Sequence, residues 1–293
     1  MVDVSNLRVK RLNNASFGAL ISGVDVAREL DAPMIKAVQG AMDEHQLIIM
    51  RGQKLTAPDL VRFSKYFGTI QQSAHKYSHK DAPDAYVLSN IVDVNGQNIG
   101  LAEAGPFWHT DGVYFETPHA YTLFYAVEIP HDGDTPLGDT QFASPTNAYD
   151  GLSEAMKQRL APLKAIHSMT RPRSAERLGT RKRAPLTAEQ LAKHPDRAHP
   201  AIRTHPNTGR KSIYVNENYT ETIAGMAPEE ARPLLDQLQA HCLQPQYYYR
   251  HKWQVGDVVI CDNCALQHKA TLDYKLPQRR MLYRTTIAGG VPF

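Results

Sequence analysis

The chain has 293 residues, 42% of them hydrophobic and 22% charged, enough apolar material to bury the core of one large domain or two small ones. Its formal net charge of +3 is too small to argue for a nucleic-acid or membrane partner, and no apolar run approaches the length of a spanning helix. The N-terminal "MVDVSNLRVKRLNN" lacks the apolar centre of a secretion signal and three cysteines do not make a disulfide framework, so a cytoplasmic protein is expected.

From the N-terminus, strand-like and helix-like stretches alternate: "ALISGVDV" from Ala19, a helix from about Ala32 to Glu44, "QLIIMRG" from Gln46, and a helix in "APDLVRFSKYFG" from Ala57. In the first helix Met34, Ile35, Val38 and Met42 share one face, as an amphipathic helix requires. Between about residues 85 and 130 the period changes to two, and "AYVLSNIVDV" and "AYTLFYAVEIP" read as strands. Helices are predicted over 152–165 and 227–243, the second opened by proline and acids. Between them "RPRSAERLGTRKRAPL" carries six basic residues against one acid and reads as a lid-like loop. After Pro245 the strands return in "QYYYRHKW", "DVVICDN" and "RRMLYRTTIAGG". With no internal repeat and no Pro/Gly/Ser linker, residues 1–293 are expected to form one mainly β, α+β domain. Its helices lie towards the N-terminus and in an insert, residues 152–226, that includes the basic loop.

The segment "FWHTDGVYFETP" places His109 and Asp111 among aromatic residues. In a strand, residues i and i+2 point to the same side, so an imidazole and a carboxylate would meet while Thr110 faces away. Two unpaired polar groups in such surroundings are costly. The residues alone leave two solutions open: a bound cation, or a buried His–Asp hydrogen bond without metal. A second H-x-D, His79 to Asp81, lies in the polar stretch "KYSHKDAPDA" and reads as a solvated loop. Near the C-terminus, Arg280, Leu282 and Arg284 share one face of an extended run. On an interior face two guanidinium groups require an anion; on an exterior face they are merely solvated.

Taken in order, "WHTD", "GDT" at Gly138 to Thr140, "DN" at Asp262 and Asn263, H-x-A-x-x-D-Y from His268 and "LPQRRMLYRTT" from Leu276 form a specific series. Together with "GVDV" at Gly23, "RGQ" at Arg51 and "THPNTGRKSIYVN", they resemble the taurine dioxygenase/TfdA family of Fe(II)- and 2-oxoglutarate-dependent dioxygenases along nearly the whole chain. The resemblance implies a double-stranded β-helix, or jelly-roll, core of the clavaminate-synthase-like kind. It implies Fe(II), 2-oxoglutarate and O2 as cofactor and co-substrates, and a small-molecule substrate. The implied iron ligands are His109, Asp111 and His268, two imidazoles and a carboxylate that leave positions open. A carboxylate at Asp111 implies hydroxylation, desaturation or another oxidative outcome, since related halogenases carry a small residue there. Arg280 is implied to fork onto the distal carboxylate of 2-oxoglutarate, with Thr140 as a hydroxyl donor. Arg284 is implied to hold either the substrate's acidic group or the co-substrate. His75 and Tyr77 are the implied substrate anchors, and a homodimer or tetramer is the implied assembly.

Departures from the taurine enzymes turn the expectation away from taurine and towards another small anion. Gly105 stands where a substrate-contacting Asn occurs, and four extra residues separate Asp111 from the "GDT" motif. "HTDGVYFE" and Tyr247 to Tyr249 give a thinner likeness to enzymes that tailor amino-acid-derived or isonitrile metabolites. A rival reading gathers Cys242, Cys261, Cys264 and His268 into a zinc site on a non-enzymatic β-barrel. Another turns the basic segment to nucleic acid, against which its default is a lid that attracts anions to the pocket.

Overall fold

The computed structural model describes residues 4–71, 76–169 and 195–293, together with Thr187 and Glu189. The basic segment "RPRSAERLGTRKRAPL" and His75 lie outside the described residues.

The main sheet has eight strands, in lateral order Arg8–Arg11, Ala19–Ser22, Leu47–Met50, Val258–Asp262, His119–Glu128, Met281–Ala288, Ala82–Ser89 and Ser78–His79. All neighbours are antiparallel except Ala19–Ser22 beside Leu47–Met50. The strand Leu47–Met50 and the stretch from Val258 to Cys261 are apolar at every position because both faces are covered. On Leu47–Met50, Ile48 and Met50 enter one core while Leu47 and Ile49 enter the other. Val258 and Ile260 divide from Val259 and Cys261 in the same way, as do Leu123 and Tyr125 from Phe124 and Ala126. Period two therefore sorts the side chains between a helix layer and a second sheet.

The helix layer consists of Ala32–His45 and Ala57–Ser64. Asp31 caps the first by accepting from the Met34 amide, with Pro33 in its first turn, and Gln46 ends it at φ +66. Thr56 and Asp59 form a capping box on the second. Met34, Val38, Met42, Leu60 and Phe63 bury against the sheet.

The second sheet packs on the other face, with Thr140–Ala143 between Tyr248–His251 and Gln267–Ala270. Phe142, Tyr249, Trp253 and Leu266 meet Phe124, Val259 and Leu282 of the main sheet in one apolar core. This is the expected jelly-roll sandwich. The helix Pro228–Cys242, just after the insert, covers its strands Lys164–His167, Arg197–Pro200 and Thr220–Ile223 through Leu234, Leu235, Leu238 and Cys242. The expected helix over 152–165 is shorter, Glu154–Leu160: Ser153 caps it, Pro162 follows its end, and Lys164 begins a strand. Among the described residues no helix is long and apolar enough to cross a membrane.

Candidate active site

The segment from Phe107 is not a strand. His109 makes one isolated antiparallel bridge with His268, and Gly112, at φ +72, turns the chain immediately afterwards. The bridge is complete: the His109 amide donates to His268 O at 3.0 Å and the His268 amide to His109 O at 2.8 Å. Residues that exchange both bonds stand directly opposite, so their side chains leave the sheet side by side. The two imidazole centroids are 4.2 Å apart. Beside them lies Asp111, with Oδ1 3.4 Å from His109 Nε2 and Oδ2 4.0 Å from His268 Nε2. All three residues are buried, and a ligand atom from each lies within 4.8 Å of the others. Thr110 turns away and donates to Leu266 O.

The surroundings prepare these groups for a cation. His109 Nδ1 is 2.8 Å from Phe107 O, which can only accept, so Nδ1 carries the proton and the Nε2 lone pair faces Asp111. Burial and the neighbouring His109 push the His268 imidazole down to about 3, leaving it neutral. Burial raises the Asp111 carboxyl, yet its close contacts with His109 and His268 and the charge of Arg284 outweigh it and hold the acid well below its usual range. Thr122 Oγ1 donates to Asp111 Oδ2 at 2.7 Å, and Asn263 Nδ2 donates to Thr122 Oγ1 at 2.9 Å. Two imidazoles and an ionised carboxylate that leave positions open form a mixed nitrogen and oxygen donor set that fits a ferrous ion.

Arg280 is 5% exposed and forms no carboxylate ion pair among the described residues. It donates to Gly138 O at 3.3 Å, its Nε has no partner among them, and its guanidinium stands 5.6 Å from the Tyr274 ring centroid. The nearby acids are engaged elsewhere: Asp139 accepts from Arg250 at 2.7 Å and Asp273 from the Gly138 amide at 2.8 Å. Burial pushes the Arg280 guanidinium down from its usual range, and a buried cation in this state calls for an anion. Thr140 is buried, and its Oγ1 accepts from Trp253 Nε1 at 3.0 Å, which leaves its own hydroxyl proton to donate. Both groups fit a carboxylate such as that of 2-oxoglutarate.

Arg284 pairs in register with Phe124, placing it on the sheet face that looks into the sandwich, and stacks 5.2 Å over Tyr86. Its Nε is buried without a partner among the described residues. Tyr77 packs edge-on against the same Tyr86, centroids 6.1 Å apart. His79 is not in a solvated loop: it lies in the edge strand Ser78–His79, with its ring 5.0 Å from that of Tyr283. Tyr219 from the insert stands 6.2 Å from His109 and 4.8 Å from Tyr114. Gly105, at φ +64, lies so close to His109 that an added Cβ would come within 2.7 Å of Cε1.

The zinc grouping does not form. Cys242 lies in the core that the helix Pro228–Cys242 forms with the insert and Cys261 between the two sheets, each where apolar packing directs it. Cys264 falls instead near His205 and Asp262, but the His205 Nε2 proton is spent on Asp262 at 2.7 Å while its Nδ1 accepts from the Asn207 and Thr208 amides. Sequence reading passed over Thr122, Trp253, Tyr274 and Tyr219. Tyr274 stood within the quoted H-x-A-x-x-D-Y series, whereas Thr122 is one of many alternating strand residues.

The family model described as "Taurine catabolism dioxygenase TauD, TfdA family" matches residues 8–286. The (S)-phenoxypropionate/alpha-ketoglutarate-dioxygenase of Sphingobium herbicidovorans is 31% identical over 94% of this chain and 93% of its own. Pentalenolactone F synthase of Streptomyces arenae is 29% identical over 96% of this chain and 95% of its own. The crystal structure of AAD-2 in complex with Mn(II) and N-oxalylglycine superposes with a TM-score of 0.80 at 27% identity, covering 98% of both chains. With two imidazoles and a carboxylate gathered on its jelly-roll and a family match along nearly its whole length, the chain belongs to the TauD/TfdA family of 2-oxoglutarate-dependent dioxygenases.

Proposed function

We propose that this dioxygenase oxidises a C–H bond of a small anionic substrate, with His109, Asp111 and His268 holding Fe(II) and Arg280 and Thr140 holding the distal carboxylate of 2-oxoglutarate. The observation that carries the reading is the buried convergence of those three donors within 4.8 Å. Bound there, ferrous iron and 2-oxoglutarate supply activation of O2 coupled to oxidative decarboxylation of the co-substrate to succinate and carbon dioxide.

The residues of the chain orient, neutralise and exclude water. Arg280 binds a carboxylate through two parallel N–H donors and so fixes its direction as well as its position. Thr140 adds the hydroxyl proton that Trp253 leaves free. Arg284 faces the same interior and serves the acidic group of the substrate, with Tyr77 and Tyr86 as an apolar wall and His75 as a further anchor. Tyr219, with Tyr114 packed against it, covers His109 and excludes bulk water, which keeps the oxidising power for the substrate.

The names of the relatives support an anionic substrate: one is a phenoxypropionate dioxygenase, another an alkylsulfatase from Acinetobacter baylyi. A second reading, oxidative tailoring of a natural product, is supported by the likeness to pentalenolactone F synthase. A succinate-release screen across sulfonates, sulfate esters, aryloxyalkanoates and amino-acid derivatives separates the two. Under anaerobic conditions the Fe(II) protein is expected to develop a weak visible charge-transfer band on adding 2-oxoglutarate. Asp111→Ala should lose both band and turnover, and normal turnover by that variant would overturn the ligand assignment.

A further inference from the structure

We infer that Thr122 and Asn263 are positioning residues that dictate which oxygen of Asp111 faces the metal, and thereby keep the carboxylate a one-atom ligand. The inference rests on the metal-site reading above and concerns a relay outside the three donors.

Thr122 is 0% exposed and Asn263 1%, so neither hydroxyl nor amide has water as an alternative partner. The Thr122 hydroxyl has one proton, and it is directed at Asp111 Oδ2 at 2.7 Å. That direction is imposed from behind, because Asn263 Nδ2 donates into the same hydroxyl oxygen at 2.9 Å. A hydroxyl that accepts from an amide must send its own proton elsewhere, and Asp111 is where it goes. The amide group of Asn263 is used at its other end as well: its Oδ1 accepts from the Asp111 backbone amide at 3.4 Å. One side chain therefore grips both the backbone and, through Thr122, the carboxylate of the same residue.

Asn263 itself is fixed by its place in the fold. It follows the strand Val258–Asp262, and its amide donates to Ala120 O on the neighbouring strand at 2.8 Å. Thr122 belongs to that neighbouring strand, in register with Cys261. The relay is thus built on two central strands of the main sheet, whereas Asp111 itself sits on a turn with a left-handed glycine after it. A ligand on a turn needs an external brace if its carboxylate is to hold one rotation.

The chemical consequence follows from lone pairs. Oδ2 has one taken by Thr122, while among the described residues no hydroxyl or amide donates to Oδ1, which lies 3.4 Å from His109 Nε2. Oδ1 is the better donor to a cation, and Oδ2 is held back from chelating it. A carboxylate that chelated through both oxygens would take one of the positions that a bidentate co-substrate and O2 need.

Cobalt(II) replaces iron as the probe, because its ligand-field spectrum reports coordination without turnover. Thr122→Val removes the donor and keeps the shape. It is expected to bind Co(II) about 10- to 100-fold more weakly, the range seen when a hydrogen-bonded support of a ligand is lost. Its visible band should also shift in position and intensity. Thr122→Ser should restore both, which a purely packing role would not predict. Asn263→Leu should reproduce the Thr122→Val effect, and the double variant should be no worse than either single one, as two members of one relay require. Wild-type Co(II) affinity and spectrum in Thr122→Val, with native circular dichroism, would overturn the inference. Asp111→Ala separates this from failure of the site itself: if it too binds Co(II) normally, the metal-site reading is wrong, and if it alone loses the metal, only the relay is.

Discussion

Gly138 shows how one missing side chain shapes the proposed co-substrate site. It stands at φ +75, and a Cβ there would lie 2.8 Å from Arg280 Nε and 3.0 Å from both Arg280 Cδ and Tyr274 Cε1. The "GDT" motif thus supplies two separate things: space for a buried guanidinium at its first residue and a hydroxyl at its third. Gly138→Ala is expected to displace Arg280 and raise the KM for 2-oxoglutarate roughly 10- to 100-fold, the weight of one charge-assisted hydrogen bond. Gly133 is the control. It too has a left-handed φ, +56, but nothing lies within 4 Å of its added Cβ, so Gly133→Ala should cost only backbone strain and leave that KM unchanged. Equal effects of the two substitutions would remove the steric account of Gly138.

At the level of elements, the legible parts of the chain were those whose cause is local. Period two in "AYTLFYAVEIP" and the capped amphipathic pattern after Asp31 carry their own instructions, and the strand His119–Glu128 and the helix Ala32–His45 follow them. The ordered motifs also pointed to residues that the fold brings together from distant stretches. The segment at His109 was misread as a strand because its conformation depends on one bridge to His268, a partner that no local pattern announces. Trp253 and Thr122 escaped for a related reason: each acts through a residue remote in sequence. Arg51, noticed only as part of "RGQ", is a further case. Its Nη1 donates to Asp257 Oδ2 at 2.6 Å, and the fully buried Asp257 also accepts from His251 Nε2 and the Gln254 amide. This knot joins the end of Leu47–Met50 to the start of Val258–Asp262 and anchors the turn that carries Trp253. Arg51→Leu leaves a buried carboxylate without its cation and should cost about 3 kcal/mol. Thermal denaturation should register this as a fall in Tm of roughly 6–10 °C. A change within one degree would mean that His251 alone suffices.

The whole molecule has an acid sensitivity that follows from where its histidines are buried. His167, 0% exposed in the core of the insert, is pushed down to about 3 by burial and by His199, and His119, at the start of a main-sheet strand, is pushed down to about 4 by burial and Arg284. In the unfolded chain both titrate near 6.5. Below that value the unfolded state binds more protons than the folded one, so stability declines as pH falls, by about 1.4 kcal/mol per pH unit for each proton, until the folded values are reached. Asp111 acts in the same direction at lower pH, since its depressed folded pKa stabilises the protein only above the ordinary carboxylate range. Urea denaturation of the chelator-treated protein from pH 7 to pH 4 should therefore show a falling midpoint, and His167→Gln should flatten the slope by about one proton. If the chain is one domain, the insert and the main sheet unfold together and a single transition carries the protons of both His167 and His119. Two transitions, with His167→Gln altering only one of them, would divide the insert from the sandwich as a separately folding unit.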